Sequence, residues 1–594
     1  MNDRKPNSHG RGRARLGLAA ITSAIVAVTI ATSCLPPSPP ADLVITNGRV
    51  YTLTWDEPSL DGSPADNAPH GEDGWRHDAE AVAIRGGEIV FVGAGDAAAA
   101  FVGPETEVLD AEGATVLPGL VDSHTHVAGL GELEVRLNLI GVETEAEAVA
   151  LAAERARSLP PGEWIVGRGW DEGAWANRYP TMEQLSAEVP DHPVVLQSLH
   201  GFATWGNRLA FELAGISAST PDPAGGEILR DAEGEPTGVL LNRAGPLLTS
   251  AIPAPTAEQY RAFTLAGLTR MARDGFVAVH EAGSSTRDIE ALESLADSGQ
   301  LPIRVYAMLS ARDTELCRSR LATGPVEGLG GRLAIRSVKA YYDGALGSRG
   351  ARLLEDYADR PGHRGTSGDE YGFDEELVGE MMVGGFQVAI HAIGDAGNRE
   401  TLDFIDRVLA ADPSAREARH RIEHAQVIHP DDFGRFAELG VIASMEPPHA
   451  VEDKAWAEDR LGPDRVRGAY AWRTLRRAGA RLTFNSDLSG SDHSIFYGLH
   501  AAITRRDKQS QPAEGWYPEE SLTPEEAIRA YTSWSAYAAH WEDRTGVLAP
   551  GRWADLTLMD IDPFVLGETD PGAILDGRIV ATIVGGEVVI RPSG

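Results

Sequence analysis

The chain has 594 residues and carries 88 acidic against 53 basic side chains, a formal net charge of -35. That balance excludes attraction to nucleic-acid phosphate or to an anionic bilayer as a way of finding partners. With 42% hydrophobic and 24% charged residues the composition is that of a globular protein, neither disordered nor multi-spanning, and its length calls for a large domain with a smaller companion.

Residues 1–33 read as a secretory signal: Arg11, Arg13 and Arg15 precede an apolar run over 16–32 that is short for a membrane span. Ala31-Thr32-Ser33-Cys34 closes the run and resembles a bacterial lipobox, with Ala31 where Leu is usual; Cys34 is then the lipidated first residue of the mature protein. An uncleaved anchor, or a plain signal cut near Ser33, are the alternatives. Residues 34–41 continue as a Pro-rich extended spacer. The expected location is the bacterial cell envelope, periplasmic or extracellular, with membrane contact only through the lipid. Cys317 is the one other cysteine, so no disulfide forms within a chain lipidated at Cys34. Cys-based metal cages are excluded too, and any metal must be held by His, carboxylate or modified Lys.

Short hairpin-like strands follow at 43–45, 50–53, 81–84 and 88–92, with turns at Asn47-Gly48 and Gly86-Gly87. The polar stretch 56–78 between them reads as a surface insertion without chemistry, and its His70 and His77 as bystanders. The C-terminus has the same texture, with strands at 555–560, 579–584 and 587–590 around Gly585-Gly586.

The middle of the chain alternates apolar strands with helices, the pattern of a parallel sheet. Strands are expected at 120–122, 278–280, 303–308, 337–340, 387–391, 421–424, 441–445 and 481–485, and eight of them suggest a barrel. Thr523-Pro524-Glu525-Glu526 predicts a helix start, with an N-cap, Pro at the first position and a capping Glu. About 150 residues separate the first two strands, more than a crossover needs, so a subdomain of about 140–260 is inserted there, able to cover the barrel mouth.

His124 and His126 lie two apart at the end of the first apolar strand, so both imidazoles face one side, where a metal could bridge them. Alone, such a pair is a weak signal. The stretch 117–126, Leu-Pro-Gly-Leu-Val-Asp-Ser-His-Thr-His, resembles the first-strand motif of the amidohydrolase superfamily, and the order of later motifs resembles its branch containing N-substituted formamide deformylase. The resemblance implies a (β/α)₈ TIM-like barrel over 119–544 and a β-sandwich built from both termini, 42–118 and 545–594. It also implies ligands at the ends of strands four, five, six and eight. Lys339, in 337–349, is the implied strand-four ligand, an anionic carbamate bridging two cations once CO2 has added to its amine; unmodified, it would be a buried cation needing Asp343 or another partner. His391, in His391-Ala392-Ile393-Gly394-Asp395, and His424, in Arg421-Ile422-Glu423-His424-Ala425, are implied ligands from strands five and six, while His420 and His429 are structural. Asp487, ending Phe484-Asn485-Ser486-Asp487, is the implied metal-touching and catalytic aspartate.

The implied function is hydrolysis of a C–N bond, other than a peptide bond, in a small amide, N-formyl compound, carbamate or cyclic amide. One or two divalent cations, Zn by preference, activate the attacking hydroxide, and Asp487 moves the proton to the leaving nitrogen. A mononuclear deaminase-type amidohydrolase and a non-catalytic metal- or ligand-binding lipoprotein are the competing readings. Candidate substrate contacts are His280, Trp170, His200, Phe202, Arg349 and His449. The branch usually carries Asp-Gly-His where this chain has His200-Gly201-Phe202, which leaves the substrate open. The sequence does not decide the oligomeric state; a homodimer is kept open.

Overall fold

The computed structural model describes residues 39–171, 175, 179–199, 201–488 and 492–591. The signal segment, Cys34 and His200 lie outside the described residues. No helix among the described residues is long and apolar enough to cross a membrane.

Eight parallel strands form the body: β1 Leu120–Thr125, β2 Phe276–Ser284, β3 Arg304–Ser310, β4 Leu333–Tyr341, β5 Gln387–Ala392, β6 Arg421–His424, β7 Ile442–Met445 and β8 Arg481–Phe484. Each pairs with the next in chain order. The circle is drawn together where Thr125 bridges Leu488 in parallel, Ser123 Oγ donates to the Phe484 carbonyl at 2.9 Å and Asp487 N donates to the His124 carbonyl at 3.1 Å. This is the expected TIM-like barrel. Its strands are buried on nearly every residue, because helices cover one side and neighbouring strands fill the other, so they read as apolar runs rather than alternations. The helix Pro524–Ala530 starts as expected, with a Thr523–Glu526 capping box.

Two helices, α1 Val127–Val135 and α2 Ala257–Arg273, follow β1 and precede β2. They pack so closely that a Cβ on Gly131 would sit 1.7 Å from the Phe263 carbonyl oxygen, and one on Gly267 2.0 Å from that of Val127. Only glycine permits this approach. The chain between them forms a six-stranded sheet in the order Leu137–Asn138, Ile165–Trp170, Val194–Ser198, Ala203–Gly206, Pro236–Asn242, Gly226–Arg230, with its own core around Trp170, Trp175 and Trp205.

The chain ends build two further sheets. One holds Leu43–Thr46, Ala81–Arg85, Glu88–Gly93 and Glu107–Asp110; in the other, Thr115–Pro118 pairs antiparallel with Leu556–Met559, which joins the two ends. Buried residues of both sheets share one apolar cluster. They are tied to the barrel where Arg304, at the start of β3, pairs through two bonds with buried Asp555 at 2.7 and 2.9 Å and lies 3.8 Å over the Trp553 ring.

One expectation is corrected. The stretch 56–78 is not a bare surface insertion: its short ribbon, His70–Gly71 against Gly74–Trp75, sets Trp75 4.8 Å from the Phe564 ring, and Trp55 just before it is equally buried. Trp55 Nε1 donates to Glu525 at 2.7 Å. Its polar composition hid the two indoles that enter the main core. His70 and His77 stay peripheral, with His70 paired to Glu568.

Candidate metal centre

The mouth of the barrel, at the C-terminal ends of the strands, gathers all six side chains expected as ligands. His124 lies one residue before the end of β1, fully buried, and His126 caps the start of α1 with 41% of its side chain exposed. From β4, the Lys339 amine reaches His124 Nε2 at 2.9 Å. Asp487, just past β8, sets Oδ1 3.5 Å from His124 Nε2 and 3.4 Å from His126 Nε2. The His424 ring, from β6, lies 5.3 Å from that of His124 and 4.4 Å from that of His391 on β5.

Strand alternation would turn His424 away from the face shared by Arg421 and Glu423. The backbone breaks that alternation: His424 has φ 72° and Ala425 φ 41°, and Asp487 has φ 47°. Left-handed backbone at such residues costs about 1–3 kcal/mol each, and it concentrates at sites whose surroundings hold it. Around Asp487 the hold is visible, since its N–H meets both the His124 carbonyl and Asn485 Oδ1.

Burial and the neighbouring charges set the protonation of the cluster group by group. Burial, with the Lys339 charge next, pushes His124 down to about 4, against the pull of Glu423 and Asp487. Burial and the neighbouring charge of His424 hold His391 well below its ordinary range. Burial alone would raise Asp487, but His124, His126 and His424 outweigh it and keep the carboxyl well below the usual range. Burial lowers the Lys339 amine. His124 and His391 are therefore held as neutral imidazoles, while against burial Asp487 and Glu281 keep His126 above its ordinary value; histidine nitrogens beside an ionised carboxylate are the donor set that divalent cations such as Zn take. His391 Nε2 is buried without a hydrogen-bond partner, its nearest acceptor being Asp343 Oδ1 at 3.7 Å; the same is true of His420 Nε2 away from the mouth, and what suits His391 to a cation is that its unpaired nitrogen stands beside the other donors.

Behind the donors lies a set of charged groups that the sequence reading did not assign. Glu423 Oε2 meets His124 Nδ1 at 2.6 Å, and its Oε1 lies 2.8 Å from Arg421 Nε, an ion-pair contact too skewed for a hydrogen bond. Fully buried Arg421 also donates to the Ser123 carbonyl at 2.7 Å, Ser444 Oγ at 2.9 Å and His280 Nδ1 at 2.9 Å. Burial opposes ionisation of Glu423, but the Arg421 and His124 charges hold it well below the usual carboxylate range. Glu446, at the end of β7, lies 3.2 Å from His424 Nδ1 and 3.4 Å from His449 Nδ1. Against the cost of burial, the two histidines lower Glu446 to about 2, and Glu446 in turn raises His449 to about 9. Among the described residues, two groups have the spacing to hold a cation: His124, His126 and Asp487, and His424, Glu446 and His449.

The candidate substrate contacts divide. His449 is at the site, 6.4 Å from the His424 ring and 20% exposed. His280 is not at the mouth; it is buried against Tyr306 and Trp541 and accepts from Arg421. Trp170 belongs to the core of the inserted sheet, where its Nε1 donates to the Leu196 carbonyl. Arg349 is committed to Asp359 through two bonds at 3.0 and 2.6 Å. Phe202 stands 64% exposed beside the strand Ala203–Gly206. Asp343 is not the partner of Lys339: its carboxylate accepts the backbone N–H groups of Arg352, Ile393 and Gly394, which anchors the loop after β4 to the end of β5. His420 and His429 are structural as expected, His420 accepting from Val388 N and His429 bonded to Arg399.

A barrel with a histidine- and carboxylate-lined mouth defines a class of metal-dependent hydrolases, and comparison with known proteins makes it specific. The amidohydrolase family model matches residues 107–590. N-substituted formamide deformylase of Arthrobacter pascens is 28% identical over 533 residues, covering 87% of this chain and 96% of that one. Protein LONG AFTER FAR-RED 3 of Arabidopsis thaliana is 31% identical over 562 residues, 92% of this chain and 91% of that one. The crystal structure of an uncharacterized metal-dependent hydrolase from Pyrococcus horikoshii superposes with a TM-score of 0.66 at 25% identity, covering 89% of this chain and 99% of that chain. The chain belongs to the amidohydrolase family and is a metal-dependent hydrolase.

Proposed function

We propose that this enzyme hydrolyses a C–N bond other than a peptide bond in a small amide, N-formyl compound, carbamate or cyclic amide. The observation that carries the reading is the convergence of His124, His126, Lys339, His391, His424 and Asp487 on one mouth, with His391 Nε2 buried and unpaired. The reaction class draws on the likeness to N-substituted formamide deformylase.

His124, His126 and Asp487 would hold one cation, by preference Zn, and His391 and His424 a second. Lys339 would join the two positions as a carbamate: its lowered pKa leaves more of the neutral amine, the form that adds CO2. A bound divalent cation supplies Lewis acidity, polarising a carbonyl and acidifying water. The chain's own part is proton transfer and orientation. Asp487, kept ionised by the surrounding histidines, takes the proton of the attacking water through its free carboxylate oxygen and passes it to the leaving nitrogen. His449, at the rim, faces the substrate. A mononuclear, deaminase-type reading is favoured by one feature, that His124, His126 and Asp487 make a complete group without Lys339. Localisation to the cell envelope through lipidated Cys34 is part of the same proposal.

The test is an assay on N-formyl and N-acyl amines, carbamates and cyclic amides, with Zn and bicarbonate supplied. Turnover that Asp487→Asn abolishes supports the reading. No turnover of any member by fully metal-loaded protein refutes it.

A further inference from the structure

The two histidines nearest the centre of the site, His124 and His424, share a feature that the proposed ligand set does not use. Each has a buried carboxylate on its Nδ1 side. For His124 it is Glu423, at 2.6 Å, on the strand that also carries His424. For His424 it is Glu446, at 3.2 Å, one strand further round the barrel, an ion-pair distance at an angle too skewed for a hydrogen bond. All four side chains are at most 4% exposed, so water cannot substitute for either contact. An ionised carboxylate only accepts, so at His124 the nitrogen bonded to it carries the imidazole proton and Nε2 keeps its lone pair, and at His424 the nearby carboxylate charge favours the same tautomer.

We infer that Glu423 and Glu446 are positioning residues: each sets the tautomer and ring direction of one histidine, His124 and His424, so that both present Nε2 to a cation. The inference rests on the proposed cation-binding role of those histidines and deepens it. The direction is visible at His124, whose Nε2 already points at Lys339 Nζ (2.9 Å) and Asp487 Oδ1 (3.5 Å). Each carboxylate has its own support. Arg421 stands 2.8 Å from the second oxygen of Glu423 and is itself braced by β1, β2 and β7 through Ser123, His280 and Ser444. Glu446 is shared with His449 at 3.4 Å, which links the orientation of an inner donor to a residue at the rim. Carboxylates behind metal-bound histidines raise ligand basicity and remove rotational freedom, and losing one weakens metal affinity about 10–100-fold.

The test uses the full chain, stripped of metal and titrated with Zn(II) against a chromophoric chelator, and with Co(II) followed by its visible absorption. Glu423→Gln and Glu446→Gln are expected each to weaken Zn(II) binding about 10–100-fold and to shift the Co(II) bands. The number of cations bound and the thermal midpoint of the metal-free chain should stay near those of the parent. Glu423→Gln leaves Arg421 without its counter-charge, so if that variant does not fold, Glu446→Gln decides. Parent-like affinity in a folded variant overturns the inference while leaving the metal site standing. Loss of one whole equivalent in Glu446→Gln, with the remaining affinity intact, also overturns it, because Glu446 would then be a ligand with His424 and His449. A parent chain that binds no Zn(II) refutes the proposed function itself, and that result is distinct from either of these.

Discussion

Arg421→Met isolates the charged group at the centre of the barrel. The guanidinium is fully buried, balances the charge of Glu423 and donates to the Ser123 carbonyl, Ser444 Oγ and His280 Nδ1, so methionine of similar length strands a buried carboxylate and three polar groups. Removing one partner of a buried ion pair costs about 3–5 kcal/mol, most of it the charge left unpaired. The double change Arg421→Met with Glu423→Gln removes both charges and should recover more than half of that loss, a coupling that independent sites do not show. Pulse proteolysis across a urea series measures both variants without requiring reversible heat unfolding. If Arg421→Met lies within about 1 kcal/mol of the parent, or the double variant is no better than the single, the buried charges are not coupled and the reasoning fails.

Asp487→Asn should keep the fold and lower turnover by at least about 100-fold, the lower end of what a positioned proton-transfer group contributes; a variant retaining a third of parental turnover removes Asp487 from the proton path. Gly131→Ala places a methyl 1.7 Å from the Phe263 carbonyl oxygen, so α1 and α2 must separate, at about 1–3 kcal/mol, read by urea midpoint; unchanged stability would mean that the helices do not pack this closely. Burial pushes the Cys317 thiol up to about 12, and the native chain should leave it unlabelled by a thiol reagent at pH 8 until urea unfolds the barrel. Rapid labelling of the folded chain would contradict the packing of the helix Thr314–Thr323.

The eight barrel strands were legible because each is an apolar run bounded by turn residues, and the six candidate donors because they lie at or near the ends of those runs, where a barrel exposes chemistry. The supporting charges were not. Arg421 and Glu423 stand inside a motif whose histidine drew the attention, and nothing local in Arg421-Ile422-Glu423-His424 says that Glu423 answers a histidine 299 residues earlier. Glu446 was hidden for the same reason. The errors share a cause: Trp170, His280 and Arg349 lie in segments that look mouth-facing, and only tertiary contacts with Leu196, Arg421 and Asp359 show that each is already engaged. The indoles of Trp55 and Trp75 were missed because the ring they pack against, Phe564, comes about 500 residues later in the chain, beyond any local pattern.

The central claim is that the barrel mouth is a metal centre built from both ends of the strand circle. Elemental analysis of the purified full chain, alongside Lys339→Ala and a His124→Ala/His126→Ala double variant, tests it most directly. One or two divalent cations per parent chain, fewer in Lys339→Ala and a further loss in the double variant, is the predicted result. Equal metal content in all three folded proteins would contradict the account.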